Sequence, residues 1–180
     1  MIERAPFNDL ASLSSRIRPH EEVPILLENI DPQVHVSLLD RDQPYYLVCE
    51  KDTVIVLLSG SAKVNFRDSS VNWFDMRPSD HVYVPAWTPH RIMLGEAGLY
   101  YRYKAREAGV EGLLWYCDSC GSPVHQQVWR TGSELPSSAY ATAIEAFNAD
   151  EDGRRCKSCD IVLPPVDLAD LRWAESAAGE

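Results

Sequence analysis

The chain has 180 residues and a formal net charge of −10, with 45% hydrophobic and 24% charged residues. This composition is typical of a folded globular protein, and the length allows one domain with a substantial core. The acidic balance disfavours nucleic acid and anionic membrane surfaces as partners, so we expect a small-molecule ligand. No apolar run approaches about 20 residues and MIERAPFNDL has no secretory pattern, which predicts no membrane partner and a cytoplasmic location.

Short extended segments follow one helix at the start of the chain. Asn8 is a candidate N-cap for a helix over 9–17. Alternating apolar residues broken by Pro, Gly and Asp then predict strands. These segments are 24–29, 33–39, 45–49, 52–66 with a break at Gly60, 71–94 with breaks at 78–80 and 85–87, and 98–106. Because no long helical pattern separates them, the fold class is mainly β, a sandwich or barrel.

The pattern changes after residue 115. Apolar residues at helical spacing predict helices over 137–149 and 166–177. We therefore expect three parts: a barrel over residues 1–112, a cysteine-containing region over 113–163 with a helix that packs on the barrel, and a helical tail over 164–180.

Two cysteine pairs carry the strongest chemical signal. Cys117 and Cys120 form one CxxC motif, and Cys156 and Cys159 form a second after a gap of 35 residues. Two such knuckles place four thiolates around one tetrahedral zinc or iron ion. With four protein ligands the shell is closed, so this metal is expected to be structural. Gly121 follows the first pair but Asp160 follows the second, which predicts a tighter or distorted second turn.

The motifs resemble those of bacterial 3-hydroxyanthranilate 3,4-dioxygenases. The resemblance is carried by APFN at 5–8, LLSG at 57–60, VPAWTPH at 84–90, WYCDSCG at 115–121 with His125, and RRCKSC at 154–159. It implies a cupin (double-stranded β-helix or jelly-roll) barrel followed by a small rubredoxin-like metal knuckle and short helices. It also implies a homodimer, and a barrel Fe(II) held by two histidines and a glutamate.

The barrel ligands of that family do not carry over. Only His90 matches, whereas the other histidine falls on Leu47 and the glutamate falls on Thr53. An aliphatic side chain cannot ligate a metal, so a barrel Fe(II) is not expected. The positions of the family's substrate-binding arginines and glutamate fall near Gln43, Leu94 and Ala105. A rebuilt ligand set is the alternative, and its candidates are His35, Cys49, Glu50 and His81.

Six residues are candidates for a barrel pocket. We expect His90 and Arg102 to be catalytic, with His90 as general acid or base and Arg102 on a carboxylate. Arg91 and Lys104 are further cations that could bind a carboxylate, and Tyr46 and Trp87 could stack on an aromatic ring. The alternatives are a structural histidine, solvated strand charges and ordinary aromatic packing.

These residues favour a divergent dioxygenase-like cupin that acts on a small aromatic or amino-carboxylate metabolite of tryptophan or anthranilate metabolism. Without a barrel metal the expected chemistry is non-oxidative, such as isomerisation, cyclisation or decarboxylation. Two alternatives stay open: a metabolite-binding or regulatory cupin without catalysis, and an iron-dependent ring-cleaving dioxygenase with rebuilt ligands.

Overall fold

The computed structural model describes residues 9–132 and 134–174. Within them the chain forms eleven strands and three helices. The strands are β1 Val23–Pro24, β2 Gln33–Leu39, β3 Tyr46–Cys49, β4 Thr53–Leu57, β5 Ser61–Phe66, β6 Trp73–Met76, β7 His81–Val84, β8 His90–Glu96, β9 Gly98–Lys104, β10 Val110–Tyr116 and β11 Pro123–Arg130. The helices are α1 Leu10–Ser14, α2 Pro136–Ala149 and α3 Leu168–Leu171.

The strands form two antiparallel sheets. One has the order β1-β2-β9-β4-β7 and the other the order β11-β10-β3-β8-β5-β6. The eight strands from β2 to β9 give the interleaved orders β2-β9-β4-β7 and β3-β8-β5-β6, which is the jelly-roll arrangement of cupins. The predicted mainly β cupin fold is therefore confirmed, and β1, β10 and β11 extend its sheets.

Turn chemistry explains where the strands break. Gly60 joins β4 to β5 with φ of 78°, and a Cβ at this position would lie 2.3 Å from the carbonyl oxygen of Glu96. Only glycine fits such a left-handed position against backbone, as the predicted break at Gly60 requires. In β7, Val82 and Val84 face the interior, whereas His81 and Tyr83 are exposed. Alternation along HVYV places the two pairs on opposite faces but does not tell which pair faces inward.

Helix α2 covers the part of the sheet that lies beyond the eight jelly-roll strands. Its Tyr140, Ile144 and Phe147 are buried against Leu113 and Trp115 of β10. The rings of Trp115 and Phe147 stack with centroids 4.2 Å apart and an interplanar angle of 3°. This contact closes the sheet on one side and gives the helix its fixed position.

The remaining predicted elements agree in part. α2 matches the predicted helix over 137–149, whereas α1 and α3 are shorter than predicted. The Asn8 cap and residues 175–177 of the last predicted helix lie outside the described residues. Strand β10 crosses the expected boundary between residues 112 and 113, so the division into parts stays a prediction. No helix in the described portion of the chain is both long and apolar enough to span a membrane.

Removing the aromatic stack of α2 should destabilise the whole fold. We expect Phe147→Ala to lower the free energy of unfolding by about 3–5 kcal/mol, because it leaves a cavity beside Trp115. Urea denaturation followed by circular dichroism measures this change. Phe74→Ala is the matched control, because Phe74 is exposed on β6 and should cost less than about 1 kcal/mol. Equal losses in the two variants would contradict this account of the core.

Candidate functional site

A cluster of charged side chains fills the middle of the barrel. Arg102 and Lys104 lie two residues apart on β9, so both side chains point to the same inner face. They meet Glu22, which precedes β1, and Glu111 on β10. All four side chains are at most 4% exposed. The interior therefore holds two cations and two anions where a barrel core is usually apolar.

Glu22 bridges the two cations. Its Oε1 accepts a hydrogen bond of 2.7 Å from Arg102 Nε, and its Oε2 lies 2.6 Å from Lys104 Nζ. Lys104 Nζ also contacts Glu111 Oε1 at 2.8 Å. The Tyr140 hydroxyl of α2 completes the cluster, since it donates to Glu22 Oε2 at 2.9 Å and accepts from Lys104 Nζ at 3.1 Å.

The charges hold one another ionised. Burial alone would raise the pKa of Glu22, but Lys104 and Arg102 outweigh burial and hold that pKa well below its ordinary value. Burial would lower the pKa of Lys104, but Glu111 and Glu22 raise it instead. The backbone of Glu22 is left-handed, with φ of 56°, a conformation that costs about 1–2 kcal/mol and persists because these contacts fix the side chain.

His90 is held as a neutral base against Arg102. Its Nε2 lies 2.6 Å from Arg102 Nη1, and its Nδ1 lies 3.0 Å from the carbonyl oxygen of Thr88. A guanidinium has no acceptor, so Nε2 accepts and the ring proton is on Nδ1, which donates to Thr88. Burial and the neighbouring Arg102 lower the pKa of His90 to about 3. At neutral pH this histidine lacks the second ring proton that a general acid would transfer, and its basic nitrogen is occupied.

The barrel residues do not fit a divalent metal ion. Leu47 pairs with His90 across β3 and β8 and has no ligand atom, and the hydroxyl of Thr53 accepts from Arg102 Nη1 at 3.3 Å. The four cysteines are the one group of three or more metal-capable side chains that converges in the described portion of the chain. The rebuilt set of His35, Cys49, Glu50 and His81 is therefore not assembled around His90.

The four cysteines form the second candidate centre. The Sγ atoms of Cys117 and Cys159 are 3.5 Å apart, as are those of Cys120 and Cys156, and all four lie within 4.8 Å of one another. Sulfurs at about 2.3 Å from a tetrahedral ion are about 3.8 Å apart, so the cluster fits one zinc or iron ion. Bound there, the ion would supply cross-linking between the two knuckles.

The two knuckles have the same backbone geometry. Gly121 N donates to Cys117 O at 2.8 Å, and Asp160 N donates to Cys156 O at 2.9 Å. Asp160 adopts a left-handed φ of 62°, close to the 74° of Gly121. The expected distortion of the second turn is therefore wrong. Asp is among the residues that tolerate the left-handed region best, and Arg155 Nη1 also donates to the carbonyl and carboxylate oxygens of Asp160 at 3.3 and 3.2 Å.

The structure separates the six predicted pocket residues. His90, Arg102 and Lys104 belong to the buried cluster. Tyr46 and Arg91 face outward from the sheet, where the guanidinium carbon of Arg91 lies 4.9 Å from the centre of the Tyr46 ring. Trp87 is exposed in a loop and has a left-handed φ of 60°. Their assigned roles stay predictions.

Two cavities lie outside the barrel interior. The first, of about 240 Å³, reaches the end of the charged cluster at Lys104 and Glu111. The second, of about 490 Å³, lies between the barrel and the cysteine knuckles and is lined by residues that include Tyr46, Arg91 and Trp115. Neither is lined by His90 or Arg102.

Sequence reasoning missed three members of the cluster: Glu22, Glu111 and Tyr140. Glu111 carried a usable signal, because it is a charged residue in the otherwise apolar segment VEGLLWY. Glu22 and Tyr140 carried none, because they lie in a loop and on a helix with no local link to the barrel. Their partners in the cluster are 36 to 118 residues away in sequence.

No family model matches this chain. Among curated proteins it is similar to 3-hydroxyanthranilate 3,4-dioxygenases. It is 35% identical to that of Burkholderia cenocepacia over 80 residues, which are 43% of this chain and 42% of the relative. It is 31% identical to that of Podospora anserina over 86 residues, which are 47% and 45% of the two chains. The resemblance inferred from the motifs is confirmed, and the chain spans about half the length of the curated relatives it matches.

Solved structures with similar folds include a double-stranded β-helix protein from Klebsiella pneumoniae. Its identity is 19% and its TM-score 0.48, over 61% of this chain and 96% of that one. A cupin-2 domain protein from Shewanella frigidimarina has 16% identity and a TM-score of 0.47, over 56% and 94% of the two chains. The fold assignment rests on the strand order and not on these similarities.

Loss of one knuckle thiolate should remove the structural metal. We expect about one zinc or iron per purified wild-type chain by elemental analysis, and a small fraction of that in Cys156→Ser, because the closed shell needs four sulfurs. Cys49→Ser is the control, because Cys49 lies in the barrel beside Glu111 and not in the cysteine cluster. Unchanged metal content in Cys156→Ser would contradict the assignment.

Mild acid should destabilise the fold through its buried histidines. Burial is the main cause that lowers the pKa of His90 to about 3 and that of His20 to about 4, both from 6.5. The unfolded chain therefore binds these protons first, so stability is full above pH 6.5 and falls as the pH drops towards the folded values. At pH 5.5 each histidine should cost about 1.4 kcal/mol.

Urea denaturation at pH 7.5 and 5.5 measures this loss. His81→Gln is the control and should show the same difference between the two pH values as the wild type, because His81 is exposed. Equal stability of the wild type at both pH values would show that the buried histidines are not held neutral.

Proposed function

We propose that this chain is a cupin that binds a small aromatic or amino-carboxylate metabolite, and that its barrel works without a metal ion. The observation that supports this most strongly is the contact of 2.6 Å between Arg102 Nη1 and His90 Nε2. Of the three ligand positions that the resemblance implies, Leu47 has no donor atom and Thr53 offers a hydroxyl that already contacts Arg102. His90 Nε2 is therefore the one strong metal ligand at these positions. A guanidinium already occupies it.

Charge balance supports the same conclusion. Arg102 and Lys104 carry two positive charges, and Glu22 and Glu111 carry two negative charges, all in contact and out of water. A divalent ion would add two uncompensated charges to this balanced cluster. Placing unpaired charge in a buried site costs several kcal/mol per charge. The cluster therefore links the surrounding elements through ion pairs and disfavours binding of a divalent metal.

The state of His90 favours binding over catalysis. A general acid needs a proton near neutral pH and a general base needs a free nitrogen, and His90 has neither in this arrangement. The names of the curated relatives suggest the ligand class, because 3-hydroxyanthranilate is an aromatic ring with adjacent amino and carboxylate groups. We therefore favour a sensor or carrier of such a compound.

One observation favours non-oxidative catalysis as the second candidate. Arg102 Nη2 and the Tyr45 hydroxyl are buried and have no hydrogen-bond partner among the described residues. A ligand oxygen that took up these donors could release His90 from Arg102 and restore its basicity. The catalytic roles predicted for His90 and Arg102 depend on this displacement. The homodimer and the cytoplasmic location also stay predictions.

Iron loading and oxygen consumption test the proposal. After reconstitution with Fe(II) under nitrogen, the wild type and His90→Ala should hold equal iron, because no barrel ion depends on His90. Oxygen uptake with 3-hydroxyanthranilate should equal that of buffer. His81→Ala is the matched control for loss of a histidine. An iron ion that only His90→Ala loses, together with oxygen uptake by the wild type, would refute the proposal.

Thermal unfolding and product analysis then separate the two candidates. A stabilising ligand from a panel of aromatic acids should raise the melting temperature without being converted, as chromatography and mass spectrometry would show. Conversion of the ligand in the absence of oxygen would favour non-oxidative catalysis instead.

A further inference from the structure

The cavity of about 490 Å³ between the barrel and the cysteine knuckles has the features of a ligand site. We call it the lobe crevice. Its walls come from the loop before β3, the outward face of β8, the end of β10, and the segment that follows the second knuckle. They include Tyr46, Arg91, Trp115, Tyr116, Phe147 and Pro165. We propose that the lobe crevice, and not the barrel interior, binds a small aromatic carboxylate.

Aromatic rings supply one half of the recognition. Tyr46 and Tyr116 pack edge to face with ring centroids 5.0 Å apart, and Trp115 stacks on Phe147 on another wall. Rings held in this way present rigid apolar faces at little entropic cost. A planar aromatic ligand gains more from such walls than a flexible or aliphatic one.

Arg91 supplies the charge. Its Nε is buried without a hydrogen-bond partner, and no carboxylate of the described residues lies within ion-pair distance of it. The Arg91 guanidinium lies over the ring of Tyr46. Arg67 Nε donates a hydrogen bond of 3.2 Å to the hydroxyl of the same tyrosine. Arg67 is not among the residues that line the crevice, so Arg91 is the lining guanidinium without an ion pair among the described residues, and such a group suits a carboxylate.

A second buried donor points to a polar ligand. The indole of Trp115 is 5% exposed, and its Nε1 has no acceptor among the described residues. Trp115 and Arg91 both line the lobe crevice, and each has a buried N–H group without a hydrogen-bond partner among the described residues. Because buried N–H groups in folded proteins nearly always have a partner, these two donors point to a ligand that supplies acceptors. The ring of an aromatic carboxylate would pack against the apolar walls, and its oxygens would accept hydrogen bonds from the unsatisfied donors.

Four aspartates also line the crevice: Asp42, Asp118, Asp167 and Asp170. Asp170 lies 3.9 Å from Arg41, Asp167 accepts from Ala169 N at 2.9 Å, and Asp42 accepts from Leu94 N at 2.7 Å. None of the four forms an ion pair with Arg91, so the Arg91 guanidinium is available to a ligand carboxylate. The smaller cavity is less suitable, because its Lys104 and Glu111 already pair with each other at 2.8 Å.

Isothermal titration calorimetry of the full-length, metal-loaded protein tests the inference, which rests on the proposed binding function. The probes are 2-aminobenzoate, benzoate, aniline and cyclohexanecarboxylate. We expect the two aromatic acids to bind, and the compounds that lack the carboxylate or the aromatic ring to bind at least about tenfold more weakly.

Arg91→Gln should weaken 2-aminobenzoate binding about 10- to 100-fold, since a hydrogen bond to a charged group contributes about 1.5–3 kcal/mol. Arg77→Gln is the control, because it removes the same charge from an exposed position in the turn before β7 and should leave affinity unchanged. Circular dichroism melting of each variant checks that the fold is intact.

Ala108 lines the smaller cavity and not the lobe crevice, so Ala108→Phe should block the smaller cavity without changing the crevice. This variant separates failure of the crevice as the binding site from failure of the proposed binding function. Full affinity in Ala108→Phe with loss in Arg91→Gln supports the crevice. Loss in Ala108→Phe with full affinity in Arg91→Gln overturns the crevice but leaves the proposed function intact. If neither aromatic acid binds the wild type, the crevice is not a site for aromatic carboxylates. The iron-loading and oxygen-uptake measurements then test the metal-free barrel separately.

Discussion

The contact of Arg102 with both His90 and Glu22 is the interaction on which the rest of the barrel depends. It places a fixed cation inside the jelly roll, next to the one histidine that the motif resemblance assigned to a metal. Because the cation is covalently part of β9, its position is set by the strand register and not by a ligand shell. Lys104 and Glu111 add a second pair of opposite charges, so the buried cluster stays balanced.

This cluster also joins elements that the eight jelly-roll strands do not include. Glu22 belongs to the segment before β1, Glu111 to β10, and Tyr140 to α2, and each contacts Arg102 or Lys104 directly. A buried ion pair contributes less to net stability than its Coulomb energy suggests, because desolvation opposes it. Its stronger effect is on geometry, because each partner has one orientation that satisfies its hydrogen bonds. The cluster therefore fixes how the segment before β1, strand β10 and helix α2 pack on the barrel.

The cysteine knuckles have a different role from the barrel cluster. They connect the end of β10 to the segment after α2, and a bound ion would fix one wall of the lobe crevice relative to the barrel. The four cysteines therefore fit a closed metal site, whereas the barrel residues around His90 do not fit an open one. The likeness to dioxygenases over about half of each chain describes ancestry and fold, whereas function is decided by the side chains at the site.

Features that depend on local spacing could be predicted from the sequence. The CxxC pairs predicted the thiolate cluster, Gly60 marked the turn between β4 and β5, and the motif around His90 placed that histidine at the start of an inner strand. The sequence did not predict β10 and β11 as strands, because VEGLLWY and PVHQQVWR lack clean alternation of apolar and polar residues.

The folded structure was needed to show that Val82 and Val84 of β7, and not His81 and Tyr83, face inward. It was also needed to show that Asp160 adopts the same turn as Gly121, and which residues surround Arg102. These outcomes depend on contacts between residues that are far apart in sequence, such as Glu22 and Arg102 at a separation of 80 residues. A pattern along the chain records which side of a strand a residue takes relative to its neighbours. It does not record which distant carboxylate will meet a buried cation, and the proposal of a metal-free barrel rests on that pairing.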